Sequence, residues 1–354
     1  MSTALPLPVT ATPPLALALA LADRIFRIAF AVNLALTAFA LLAALTGFGS
    51  SIAGKFEFDG QTAWRILFAA VFFNGIWALI WYGVKNLLLA KFVRMSREDR
   101  RAVFSSRMSQ PFDLAGLLSR YSERRIRIVD MIGRRGRFIT LAMALLYFLY
   151  ANIAANKSGN FASAFTGETL LDGVIMNWFC IALFYVNGFL ARMFFGAQTR
   201  IMDGALGRAN FLTIVTLWAL FKFTLIPIGA QLQAIYPPEY FAILFVLIWG
   251  TYFIVDTMAE VGGSIYGNQK IVVRGVGETN RKSIGGTVTG LVSGLAFALA
   301  IVILNGLPAS FFALAVALAC ASSALELFSP RGTDDFTMAT GNALIVWAFG
   351  AWIL

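Results

Sequence analysis

The chain has 354 residues, of which 59% are hydrophobic and 13% charged, with 28 Lys and Arg against 18 Asp and Glu. A soluble protein carries roughly 25% charged residues, and 33 Phe with 8 Trp exceed what one water-soluble core of this length can hold. The composition excludes a soluble globular domain. The absence of histidine excludes a Ser-His triad, a His-ligated zinc site and a His general base. Cys180 and Cys320 both fall in apolar runs and read as buried small residues, not as a disulfide or metal pair.

In chain order, Pro13-Pro14 precedes a short Ala/Leu run, 15–22, which Asp23 and Arg24 close. It is expected as a short surface or re-entrant helix within an N-terminal cytoplasmic segment, 1–27. A membrane-spanning helix needs about 20 apolar residues. Nine segments qualify: 28–48, 63–84, 138–155, 171–190, 210–235, 239–256, 286–304, 308–326 and 336–354. Such helical runs exclude a β-barrel, whose strands alternate in short segments. The expected fold is therefore all-α and polytopic, with about nine transmembrane helices. A membrane domain at 28–250 would hold the lipid-substrate cavity, and a region at 251–354 would hold the chemistry.

With the N-terminus cytoplasmic, 24 of the basic residues lie inside, 3 outside (Lys55, Arg65, Lys157) and Lys222 within a span, as the positive-inside rule requires. The loop 91–137 carries 13 basic residues against five acidic ones. It is expected to lie as basic amphipathic helix on anionic phospholipid headgroups, with recruitment of an anionic nucleotide as the second reading. Nucleic acid is not an expected partner, because aromatic residues for base stacking are not interleaved with the charges. Lys222 shares its span with Pro227. It either faces an internal pocket for the lipid alcohol or snorkels to the headgroups.

Residues 283–325 are uncharged and broken by Asn305-Gly306-Leu307-Pro308, which reads as a helical hairpin. Its ends return to one membrane face, so Lys282 and Glu326 should meet there although 44 positions apart. The flanking polar segments bring Asp256 and Glu260, spaced i, i+4 on one helix face, together with Asp334 and Asp335. This donor set suits Mg²⁺ with phosphate oxygens. Gly262, Gly263 and Gly267 would let backbone approach phosphate, or would simply cap a helix. Lys270, Arg274, Arg281 and Lys282 are candidate phosphate cations, and Ser283, Gly286 and Thr287 open a helix whose amides face anions. Gly286, Gly290 and Gly294 also form GxxxG steps, which favour close helix packing. A P-loop at Gly275-x4-Asn280 is rejected, because the Gly before Lys is missing. These residue types fit phosphoryl transfer.

Three motifs in order are Asp256-x-x-Ala259-Glu260-x-x-Gly263, then Lys282-Ser283-x-x-Gly286-Thr287, then Glu326 before Asp334-Asp335. Together they resemble the polyprenol kinase family, the membrane-embedded CTP-dependent kinases of dolichol, phytol, farnesol and diacylglycerol, which is similar in its C-terminal half to CDP-diacylglycerol synthases. The resemblance covers about residues 250–340. It departs at Val255, often Gly in the family, and at Phe336, often Asn, for which Thr337 or Asn342 could substitute. It implies CTP as donor and an isoprenoid alcohol as acceptor. The residues themselves imply a nucleoside triphosphate with Mg²⁺. The distribution of basic residues puts the chemistry on the cytoplasmic face, with a bacterial inner membrane and the ER suiting equally. Asp256, Glu260, Glu326, Asp334 and Asp335 would then hold metal or orient the hydroxyl. The alternatives are a CTP-dependent diacylglycerol kinase, a cytidylyltransferase acting on a lipid phosphate, and a transporter.

Overall fold

The computed structural model describes residues 15–46, 74–105, 112–136, 178–183, 189–267, 269–274, 279–329 and 333–353. The expected span 138–155 lies outside them, as do parts of 28–48, 63–84 and 171–190. The first helix, α1 (Leu15–Thr46), is continuous across the expected boundary at 27. Asp23 and Arg27 pair at i, i+4 on its surface at 2.6 Å, so the charges do not end the helix. Next come α2 (Asn74–Lys91), α3 (Arg97–Ser105), α4 (Leu114–Arg120), α5 (123–136), α6 (178–183) and α7 (Phe189–Gln198). A 3₁₀ segment, Ile201–Leu206, leads into α8 (Gly207–Ile235).

The loop at 91–137 differs from expectation. Its apolar residues Leu117, Ile126 and Val129 are buried with Leu89, Val93, Phe104 and Ile201 in a core of the protein's own. They are not laid on lipid. Burial of apolar area drives this choice, and polar contacts fix it. Asp113 caps α4 by accepting from the Gly116 amide at 3.0 Å. Tyr121 donates to Asp99 at 2.7 Å, holding the Asp99 carboxyl below its usual range, and Arg120 pairs with the same carboxylate at 2.9 Å. The exposed face of this unit keeps Arg94, Arg97, Arg101 and Arg124.

The C-terminal bundle comprises α9 (Phe241–Tyr266), a hairpin of β1 (Lys270–Arg274) with β2 (Thr279–Ser283), α10 (Ile284–Leu304), α11 (Ser310–Phe328) and α12 (Asp334–Ile353). Among the described residues, three helical stretches are long and apolar enough to cross a membrane: Ile243–Tyr266, Ile284–Leu304 and Ser310–Phe328. The fold is helical as expected, except for the antiparallel β1–β2 pair, in register Lys270↔Ser283 to Arg274↔Thr279. The turn between α10 and α11 places Gly306 at φ 59°, which glycine adopts without a Cβ clash. Cys180 is buried, but Cys320 is exposed on α11, which corrects the expectation for the second cysteine; both are free thiols.

Helices α9 and α10 make the most extensive helix–helix contact among the described residues. A Cβ on Gly286 would lie 2.6 Å from the Ala259 carbonyl oxygen, and one on Gly290 would lie 2.8 Å from that of Val255. Backbone meets backbone along this GxxxG face, as close membrane packing allows. The opposite face of α10 leaves Val288, Val292 and Ile303 exposed. Gly286→Leu should therefore push the helices apart and destabilise the protein by about 1–3 kcal/mol. Gly83→Ala, inside α2 with nothing within 4 Å, should not destabilise and should gain up to about 1 kcal/mol in helix propensity. Melting temperatures in detergent compare the two; equal values would show that the crossing is not tight.

Candidate active site

The site forms where the C-terminal end of α9 meets the starts of α10 and α12 and the end of α11. At 26 residues, α9 is about 39 Å long at 1.5 Å per residue and outruns a hydrocarbon core of about 30 Å. The α10–α11 hairpin returns the chain to the same level, and Lys282 Nζ lies 2.6 Å from Glu326 Oε1 and 4.0 Å from Asp334 Oδ2. The structure thus joins the two polar segments flanking the hairpin. Ser283 caps α10, its hydroxyl accepting from the Gly286 amide at 3.1 Å, and the Thr287 hydroxyl donates to the Ser283 carbonyl at 3.2 Å.

Asp256 and Glu260 share one face of α9 and are both taken by Arg135, from the end of α5. The Arg135 guanidinium grips both carboxylate oxygens of Asp256, with Nη2 to Oδ1 at 2.8 Å, and donates through Nε to Glu260 Oε2. It also reaches the Asp256 carbonyl at 3.3 Å. Such forked charge-assisted pairs are the stronger hydrogen bonds, and the side chains of Arg135 and Asp256 are each only 4% exposed. Burial alone would lower the Arg135 pKa, but Asp256 and Glu260 raise it, so it stays charged. Arg200 Nη2 lies 2.9 Å from Glu260 Oε1, and Arg134 Nε lies 3.8 Å from Glu260 Oε2.

Behind the arginines is a buried ion pair. Lys85 of α2 and Asp130 of α5 meet at 2.9 Å with 2% and 4% exposure. Lys85 donates to the Thr199 carbonyl at 2.6 Å, and Asp130 accepts from the Met202 amide at 3.2 Å. The backbone on both sides of Arg200 is therefore held by the pair, and Asp130 lies one turn before Arg134 and Arg135.

Asp335 is buried in the first turn of α12. Burial first, then the charges of Asp334 and Asp256, push its carboxyl up to about 7. Its Oδ1 has no hydrogen-bond partner among the described residues. No group of three or more Asp, Glu or Cys side chains among the described residues is arranged to hold a metal ion. One or two carboxylates with phosphate and water oxygens are the usual Mg²⁺ set, and Asp334 with Asp335 fits it. Asp256 and Glu260, as arranged, are occupied by guanidinium.

Of the glycines expected near phosphate, Gly262 is buried, and Gly263 and Gly267 are part-exposed. Gly262 packs on Thr289 and the Gly285 carbonyl, and Gly263 on Ser283 and Gly286. Gly267 is the C-cap of α9. A Cβ there would meet Lys270 Nζ at 3.0 Å, so the amine comes over the negative end of the helix. Arg274 and Arg281 sit on the strand pair; their side chains, and that of Lys222 in α8, lie outside the described residues. Asn342 is not at the site. It is buried, accepts from Ser322 and donates to the Ile248 carbonyl, each at 3.0 Å. Thr337 bonds back to Thr333 and Asp334.

Sequence reasoning missed Arg134, Arg135 and Arg200, and the Lys85–Asp130 pair that sets them. Each was one basic or acidic residue among many at a membrane boundary. No family model matches the chain, and comparison with curated proteins and with solved structures gives no match.

Proposed function

We propose that the chain is a membrane-embedded lipid kinase of about nine spans, acting at the cytoplasmic face. It transfers the γ-phosphoryl group of CTP to an isoprenoid alcohol. The alcohol oxygen bonds to the γ-phosphorus, the bond to the β–γ bridging oxygen breaks, and the products are CDP, a lipid monophosphate and a proton. The observation that carries this reading is the meeting of Lys282, Glu326 and Asp334 beside the buried Asp335 carboxyl, whose Oδ1 has no hydrogen-bond partner among the described residues. Separate segments contribute to that meeting, and phosphoryl transfer needs cations and metal-binding carboxylates in one place. Asp334 and Asp335 would hold Mg²⁺, which neutralises phosphate charge when bound. Lys282 would face the donor phosphates. CTP and the isoprenoid acceptor come from the motif resemblance.

The test uses purified protein in lipid nanodiscs with each γ-labelled nucleoside triphosphate, against a panel of prenols and diacylglycerol. Label should pass to a prenol with release of CDP. Asp335→Asn should lower turnover by about 100-fold or more through lost charge stabilisation, while Lys282→Ala should act on the nucleotide KM or kcat and leave the lipid KM unchanged. Label on diacylglycerol would change the acceptor class. Pyrophosphate release with a lipid phosphate would turn the reading to a cytidylyltransferase. Solute transport without nucleotide turnover would sink it.

A further inference from the structure

The charges at the site are sorted by side. On one side three guanidinium groups, Arg134, Arg135 and Arg200, face two carboxylates, Asp256 and Glu260. On the other, Lys282 pairs with Glu326 and Asp334, and Asp335 adjoins them. A surplus of positive charge thus lies beside a surplus of negative charge. Glu260 takes contacts from all three arginines, and its side chain is 13% exposed, against 4% for Asp256. Arg200 has 30% of its side chain open to solvent, yet its Nε is buried with no hydrogen-bond partner among the described residues. Two residues earlier, Gln198 Nε2 is a second such buried donor.

We propose that Arg134, Arg135 and Arg200 form a phosphate-binding site in which the Glu260 carboxylate holds the place of the anion. A phosphate group carries more charge and more acceptor oxygens than a carboxylate, and arginine forks match it in two bonds at a time. An incoming phosphate displaces Glu260 from Arg200 and Arg134, while Arg135 stays on Asp256. The ligand class is a polyphosphate chelated to a divalent cation: its anionic end lies on the arginines and its cation lies toward Asp334 and Asp335. This rests on the lipid-kinase reading only for the identity of the polyphosphate as a nucleoside triphosphate. The three arginines lie before residue 250, whereas the motifs lie after it.

The experiment measures binding of labelled CTP and of inorganic pyrophosphate to the full-length protein in nanodiscs, without acceptor lipid. Arg200→Ala should weaken both by about 10- to 100-fold, the range of a lost charge-assisted hydrogen bond, and Arg200→Lys should recover part of the loss. Arg97→Ala, which removes an exposed charge of the same basic loop that contacts neither Asp256 nor Glu260 among the ion pairs of the described residues, should leave binding unchanged and so controls for general electrostatics. Glu260→Gln should lower the melting temperature, and pyrophosphate should restore it toward the wild-type value, because the anion refills the place of the carboxylate. Equal binding by wild type and Arg200→Ala, or no restoration of Glu260→Gln by pyrophosphate, overturns the arginine site even if phosphoryl transfer is observed. Arg200-dependent binding without transfer to any alcohol overturns the kinase reading and leaves the site standing.

Discussion

Arg135→Leu should destabilise the folded protein by about 3–5 kcal/mol, because it leaves a buried carboxylate without its counter-charge. Both oxygens of Asp256 and one of Glu260 lose their donor in this variant. The cost lies in the stranded charges more than in the lost bonds, so a compensated variant separates the two effects. Arg135→Leu combined with Asp256→Leu should recover most of the stability, since an apolar pair can replace a buried ion pair at little cost. Denaturation in mixed micelles, read by near-ultraviolet circular dichroism, measures both. If the double variant is no more stable than the single one, the destabilisation comes from lost packing and the charge argument fails.

The Lys85–Asp130 pair should show the same signature deeper in the N-terminal half. Lys85→Met is expected to cost about 3–5 kcal/mol, and Lys85→Met with Asp130→Leu much less. Loss has a different consequence at each cluster. At Lys85 the carbonyl of Thr199 also loses its partner, so Arg200 is freed from one of its two backbone anchors. Exchange of the Met202 amide with solvent deuterium should rise in Asp130→Asn more than exchange across α9. Uniform exchange over both segments would show that the pair supports the whole fold and does not position Arg200.

The meeting of Lys282 with Glu326 was legible in the sequence because it follows from length alone. Two uncharged runs with a Gly-Leu-Pro break between them must fold back, and a membrane fixes the level at which their ends emerge. The i, i+4 relation of Asp256 and Glu260 was legible from helix geometry. Their partner was not. Arg135 lies 121 positions from Asp256, in a loop with a dozen other basic residues, and charge type carries no address. The fate of that loop was misread for a related reason: an apolar stripe with basic flanks buries equally well against lipid or against protein. Leu117 and Ile126 chose protein because Leu89, Phe104 and Ile201 offered a core. The β1–β2 pair was hidden by its size: each strand has five residues, β1 has only Ile271-Val272-Val273 as an apolar run, and β2, Thr-Asn-Arg-Lys-Ser, resembles a polar loop.

The order in which the chain is made bears on the arginine–carboxylate contact. Arg134, Arg135 and Arg200 all leave the ribosome before Asp256 and Glu260, and at about 5–20 residues per second the gap after Arg200 is roughly 3–11 s. During that interval the arginines have no acidic partner in α9. A nascent chain arrested between positions 200 and 256 would carry three guanidinium groups without those carboxylates. Arrival of α9 then supplies both carboxylates together, so only a chain extended past Glu260 can close this contact.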